Sequence, residues 1–255
     1  MIRFENITKV LGGKTILDQI SFEIEAGETF VIVGLSGAGK SVTLKHMIRL
    51  MQPDSGSVVI DGERIDQLGR SSLRTVRGKF GVLFQSAALL QWMTVFDNVA
   101  LPLREHTKKS EQEIKQLVEE KLDLLSLSEA GDKFPADLSG GMQKRVGLAR
   151  AIIMNPKIVL YDEPTSGLDP VTSRRIDHLI MDMRKELGIT SVVVTHDLHS
   201  ALAIGSRIMM LHHGKIVENA APADFIRSKD PTVQSFLESQ YITKKGKWET
   251  GLNHE

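Results

Sequence analysis

The segment GLSGAGKS at residues 34–41 constrains this chain more than any other, because it follows the apolar run TFVIV and precedes a stretch of helical period. A buried strand that turns abruptly into a helix through glycines lets main-chain N–H groups close around an anion. A lysine adds positive charge there, and a serine hydroxyl adds a cation ligand. The G-x-x-x-x-G-K-[ST] spacing in this context is a phosphate-binding loop. Gly34, Ser36, Gly37, Ala38, Gly39, Lys40, Ser41 and Val42 are its expected ligand contacts.

The surrounding pattern agrees with an α/β core. The runs KFGVLF at 79–84, KIVLYD at 157–162 and TSVVVTH at 190–196 are continuous and β-branched, as in a mostly parallel sheet buried on both faces. The first 30 residues instead alternate around Gly12-Gly13 (Ile2, Phe4, Ile7, then Ile20, Phe22, Ile24), which predicts antiparallel strands with one wet face. Residues 86–154 carry no strand pattern and three helical stretches, at 95–103, 110–127 and 142–154, which predict an inserted helical lobe. After Asp197 the pattern predicts a short helix, a hairpin turning at His213-Gly214, and short helices near Ala223 and after Pro231. The expected organisation is one domain over 1–242, with the lobe inserted at about 86–154, and a tail over 243–255.

Composition excludes several classes. Hydrophobic residues at 41% and charged residues at 25% rule out a disordered or collagenous chain. Lys plus Arg equals Asp plus Glu at 32 each, so no global field draws the protein to nucleic acid, and no nucleic-acid partner is expected. The absence of cysteine removes disulfides, thiolate metal sites and a cysteine nucleophile. No apolar run approaches the roughly 20 residues of a membrane span. The start MIRFENITKV also lacks the apolar core of a signal peptide, so any membrane role is expected through a partner.

Further chemistry lies outside the loop. In IVLYDE at 158–163, Asp162 suits a Mg²⁺ shell and Glu163 suits an attacking water, although two acids after a strand also serve to cap a helix. In DLSGGMQKRVG at 137–147, Ser139 is an N-cap and Gly140 and Gly141 leave main-chain N–H groups bare. That makes a second anion site or an ordinary capped helix start. Gln85 ends the strand FGVLF, and His196 is one of 8 histidines, a residue more often structural than catalytic.

Together these segments resemble the ATP-binding subunits of ABC transporters. GLSGAGKS resembles the Walker A loop, Gln85 the Q-loop, LSGGM the signature, IVLYDE the Walker B strand, SGLD at 166–169 the D-loop and His196 the switch histidine, all in family order. The resemblance implies a P-loop NTPase core with an inserted ABC helical subdomain, binding ATP and Mg²⁺. It implies catalytic roles for Lys40, Gln85, Glu163 and His196, and Mg²⁺ ligation by Ser41, Gln85 and Asp162. It also implies a head-to-tail dimer in which the loop of one copy and Ser139, Gly140 and Gly141 of the other enclose ATP, and a transmembrane permease docking near Gln85 to Met93. Where the family places an aromatic residue on adenine this chain has Leu11, which packs on a base without stacking, so loose base selectivity is expected.

The stretch LFQSAALLQWMTVFDNVALPLREHT at 83–107 resembles more narrowly the MlaF-type ATPases of Mla phospholipid-transport systems. This implies lipid transport at the cytoplasmic side of a bacterial inner membrane, with an MCE-domain protein and a small accessory subunit. The rivals are an ATPase for amino acids or lipoprotein release, a soluble ABC ATPase, and a non-catalytic nucleotide-binding regulator. Leu89, Leu90, Trp92 and Met93 form either a docking surface or the core of the helical lobe. Val233, Phe236 and Leu237 share a helical face, with Tyr241 and Trp248 beyond it as candidate docking residues.

Overall fold

The computed structural model describes residues 1–240 and 242; Tyr241, Trp248 and the expected tail lie outside the described residues. In chain order the elements are β1 (Ile2–Leu11), β2 (Lys14–Ile24), β3 (Thr29–Val33), α1 (Lys40–Met47), β4 (Ser55–Ile60), β5 (Glu63–Arg64), α2 (Arg70–Arg77) and β6 (Phe80–Leu83). There follow α3 (Val95–His106), α4 (Glu111–Leu124), α5 (Gly140–Ile152), β7 (Ile158–Asp162), α6 (Pro170–Leu187) and β8 (Thr190–Thr195). The chain closes with α7 (Leu198–Ile204), β9 (Arg207–His212), β10 (Lys215–Ala220), α8 (Pro222–Phe225) and α9 (Pro231–Ser239). Two compact units divide the chain, residues 1–66 with 194 onward, and residues 67–193.

In the first unit β1 is the centre of an antiparallel sheet ordered β2-β1-β4-β5. Its register sets Phe4 opposite Phe22 on one side and Val58 on the other, so alternation buries Ile2 and Phe4, and Ile7 is buried beyond a register shift at Asn6, whose φ is +49°. β4 was not foreseen, since its buried run SVVI is short. β3 is buried along its whole length and pairs parallel to β9, Val33 opposite Met210, in the order β10-β9-β3. The hairpin at His213-Gly214 was legible, but this parallel pairing was not. The rings of Phe4, Phe22 and Phe30 stack at centroid separations of 4.5 and 5.5 Å, joining β1 and β2 to β3, and Arg207 lies 5.0 Å over Phe30. Val233, Phe236 and Leu237 of α9 are buried, as their shared face implies.

The second unit carries strands in the order β8-β7-β6, with Phe80 opposite Ile158 in a parallel register. α3, α4 and α5 fall within the expected lobe. Each starts at a residue whose side-chain oxygen accepts a first-turn N–H: Thr94, Ser110 and Ser139. Ser110 and Glu113 cap each other reciprocally. Among the described residues no helix is long and apolar enough to cross a membrane.

Because Phe22 is the middle ring of the stack, Phe22→Ala should lower unfolding stability by about 3–5 kcal/mol. Urea unfolding checks this. A loss below about 1 kcal/mol would show that the sheet does not depend on the ring stack.

Candidate functional site

The first unit shapes the phosphate-binding loop by close approach of two neighbouring backbone segments. A Cβ on Gly34 would strike the carbonyl oxygen of Leu211, which β9 brings beside the end of β3. A Cβ on Gly39, whose φ is +105°, would lie 2.9 Å from the Ile16 carbonyl oxygen and 2.7 Å from Leu17 Cδ2 on β2. Gly39 is also the residue before α1 and makes no side-chain cap to that helix, whose positive end therefore faces the loop. Lys40 is buried and curls over the loop, donating from Nζ to Gly34 O at 2.8 Å and Leu35 O at 3.2 Å. Thr43 Oγ1 donates to Gly39 O at 3.0 Å and locks the first turn. Ser36 and Gly37 are exposed, Ala38 is buried, and Ser41 and Val42 are half-buried. This uncapped glycine cradle, with a cation folded across it, fits phosphate oxygens.

Leu11 is exposed at the end of β1, opposite Lys14 across the Gly12-Gly13 turn. His196 is also in this unit, exposed directly after β8 and next to Asp197, which caps α7.

The second unit gathers Gln85, the signature helix and Glu163 through α5. Glu163 follows β7 with a φ of +50°, in the left-handed region that a non-glycine residue rarely adopts, and is 9% exposed. Its carbonyl oxygen accepts from Lys144 Nζ at 3.1 Å and from Ser166 N at 3.2 Å. The same ammonium donates to the carbonyl oxygen of Gln85, whose residue is exposed. Burial pushes the Lys144 ammonium below the ordinary lysine range, while the charges of Glu163 and Asp162 oppose that shift. Asp162 is half-buried at the end of β7.

Beyond Gln85 the chain stays unusual. Ala87 and Ala88 also take left-handed φ values, +58° and +47°. Arg150 of α5 donates to their carbonyl oxygens at 2.7 and 2.9 Å. Fully buried Asn98 accepts from Leu90 N and donates to the carbonyls of Leu90, Met93 and Thr94. Leu89 is buried, Leu90 and Met93 are half-buried, and Trp92 is 74% exposed. The apolar cluster therefore divides, with Leu89 packing the lobe and Trp92 facing outward.

At the signature, Ser139 Oγ accepts from Met142 N at 3.3 Å. A Cβ on Gly141 would strike Thr172 Cγ2, and one on Gly140 would lie 3.5 Å from Leu168, so these glycines adjoin the SGLD segment. Ser139 and Gly140 remain exposed. Sequence reasoning passed over Lys144, Arg150 and Asn98. The signal for Lys144 was a lysine on the apolar stripe of α5, in step with Gly141 and Leu148.

A glycine cradle of this kind between a buried strand and a helix, in a chain that also carries a strand with an acidic end, defines the P-loop class of nucleoside triphosphatases. Residues 17–166 match the family model described as ABC transporter. The chain is 43% identical over 241 residues to the probable ribonucleotide transport ATP-binding protein mkl of Mycobacterium leprae, covering 94% of this chain and 70% of that protein. It is 40% identical to methionine import ATP-binding protein MetN 1 of Salmonella paratyphi A, over 94% of this chain and 71% of that one. The structure matches the dimeric ATP-binding cassette MJ0796 in a post-hydrolysis state bound to ADP and Pi, with a TM-score of 0.80 and 35% identity, covering 87% of this chain and 99% of that one. It also matches cbiO1 of Clostridium perfringens, part of the ABC transporter complex cbiONQ, with a TM-score of 0.82 and 28% identity over 94% of both chains. This chain belongs to the ABC transporter family. It is an ATP-hydrolysing ABC subunit with the α/β P-loop cassette fold and an antiparallel β subdomain.

The Asn98 side chain bonds to four main-chain groups of the loop that leads into α3. Asn98→Ala should destabilise the protein by about 2–4 kcal/mol, the cost of leaving buried polar groups unpaired. Chemical denaturation measures this, and a loss under about 1 kcal/mol would mean that other contacts fix the loop.

Proposed function

We propose that this chain is the energy-coupling ATPase of a lipid transporter, working as a head-to-tail dimer beneath a separate permease. In this reading main-chain N–H groups of residues 36–42 hold the ATP phosphates, and Lys40 neutralises their outer oxygens. Ser41, Asp162 and Gln85 would hold Mg²⁺, which when bound would neutralise charge on the phosphates. Glu163 takes the proton of the attacking water as the new oxygen–phosphorus bond forms and the bond to ADP breaks, while His196 donates to the γ-phosphate oxygens. Ser139, Gly140 and Gly141 serve the nucleotide of the other copy; the exposure of Ser139 and Gly140 supports this. Leu11 packs against the base without stacking.

The observation that carries the permease role is the surface beside Gln85. A groove of about 1160 Å³ in the second unit has an apolar floor that includes Leu73, Phe84, Leu90 and Met154, with Arg70 and Arg74 of α2 also lining it. Trp92 stands exposed two residues past Leu90. An apolar groove edged by arginines suits an amphipathic permease helix carrying an acidic residue. The lipid assignment rests on the likeness of residues 83–107 to MlaF-type ATPases, which also brings the MCE-domain partner, the accessory subunit and the inner-membrane setting. The names of the mkl and MetN relatives favour a second reading, import of a ribonucleotide or an amino acid. Purifying the intact assembly separates the two. Phospholipid and an MCE-domain protein should co-purify, and a soluble solute-binding partner in their place would overturn the lipid reading.

Glu163→Gln should leave ATP binding intact and lower turnover by about 10²- to 10⁴-fold, the range for a lost general base. Hydrolysis at the parent rate would remove Glu163 from that role. Trp92→Ala should weaken capture by the permease about thirtyfold, as expected for a tryptophan anchor worth about 2 kcal/mol. Because Trp92 is exposed, the melting temperature of the subunit should stay within about 2 °C of the parent. Unchanged capture would place docking elsewhere.

A further inference from the structure

We propose that Lys144 is a positioning residue for ATP hydrolysis: its buried ammonium ties the main chain of Gln85 to the main chain of Glu163, so that the two catalytic segments are set together. The inference rests on the roles given above to Gln85 and Glu163.

Lys144 is 5% exposed and sits on the inner stripe of α5. An apolar side chain would pack there without the cost of desolvating a charge, so a buried ammonium marks a position where its hydrogen bonds matter. Its bonds go to main-chain carbonyls of the loop after β6 and the turn after β7. These two segments are far apart in sequence, and α5 supplies the donor that joins them.

Both segments need holding. Glu163 keeps a left-handed φ of +50°, a strained conformation for a non-glycine residue. Its carbonyl bonds from Lys144 and Ser166 offset that strain and so aim the carboxylate. The Gln85 segment runs into the left-handed pair Ala87-Ala88, which Arg150 of the same helix holds by their carbonyls. The helix that begins at the signature thus grips the Gln85 loop at two levels, and only the Lys144 level reaches Glu163. A displacement of residues 85–93 by a docked partner would reach the proposed base through Lys144 in addition to the paired strands β6 and β7. Lys144 touches no substrate in this scheme and acts through the residues it holds.

The test uses the full chain with MgATP and compares Lys144→Met, Lys144→Gln, Glu163→Gln and the double variant Lys144→Met/Glu163→Gln. Lys144→Met, which keeps the length and removes the donors, should lower kcat by about tenfold or more and leave KM for ATP within about threefold. Lys144→Gln, retaining a shorter neutral donor, should fall in the same direction and serves the same comparison if the methionine variant does not fold. In the Glu163→Gln background the Lys144→Met change should slow single-turnover hydrolysis by less than about threefold, because a side chain that works by aiming Glu163 has nothing left to aim. A parent-like kcat in folded Lys144 variants overturns the proposal. So does a full, additive loss on top of Glu163→Gln. Parent-rate hydrolysis by Glu163→Gln alone would instead overturn the assignment of the base, which is a separate readout.

Discussion

The helix α1 begins at Gly39, which offers no side-chain cap, so its first main-chain N–H groups and its positive end face the loop before it. The loop keeps that shape because two neighbouring backbone carbonyls crowd it, Leu211 at Gly34 and Ile16 at Gly39. Residues with side chains cannot occupy those two positions. The binding site is thus specified less by groups that reach toward phosphate than by the exclusion of Cβ atoms from two places. Lys40 completes it by lying over the ring of carbonyls, where it meets the repulsion that bare carbonyls would offer an anion.

The second unit solves a related problem with opposite means. Its loop after β6 and turn after β7 contain alanines and a glutamate in conformations that glycine normally takes. They are held from the side by cations of α5 bonded to carbonyl oxygens. Charge-assisted bonds to main chain are stronger than neutral ones and do not depend on which side chain the held residue carries. That leaves Gln85 and Glu163 free to present their own side chains. The first unit makes its shape by omission of atoms, and the second by donation of protons.

Much of this was legible in the sequence, for identifiable reasons. The loop at 34–41, the acidic end of β7 and the serine start of α5 are local patterns in which chemistry and backbone geometry coincide, so spacing alone locates them. The continuous apolar strands and the helical lobe followed from periodicity. β4 escaped because its apolar run is short and its partner β1 already had a neighbour in β2. The pairing of β9 with β3 escaped because parallel register is set by contacts between distant segments, which no local window contains. Trp92 could be assigned to core or surface only by its environment, which exposes it while burying Leu89. Lys144 stands in step with the apolar stripe of α5, but that position alone does not show what its ammonium meets; its burial depends on the two carbonyls that the fold delivers to it.

The pairing of β3 with β9 also has a consequence in time. The Thr29 N–H reaches the Ser206 hydroxyl across 177 residues, and Leu211, which crowds Gly34, comes later still. At about 5–20 residues per second, a ribosome needs roughly 10–35 s to add that length. During that interval a nascent chain holds every residue of the phosphate-binding loop but lacks the strand that shapes it. Synthesis itself therefore postpones the appearance of a formed nucleotide site until nearly the whole cassette exists.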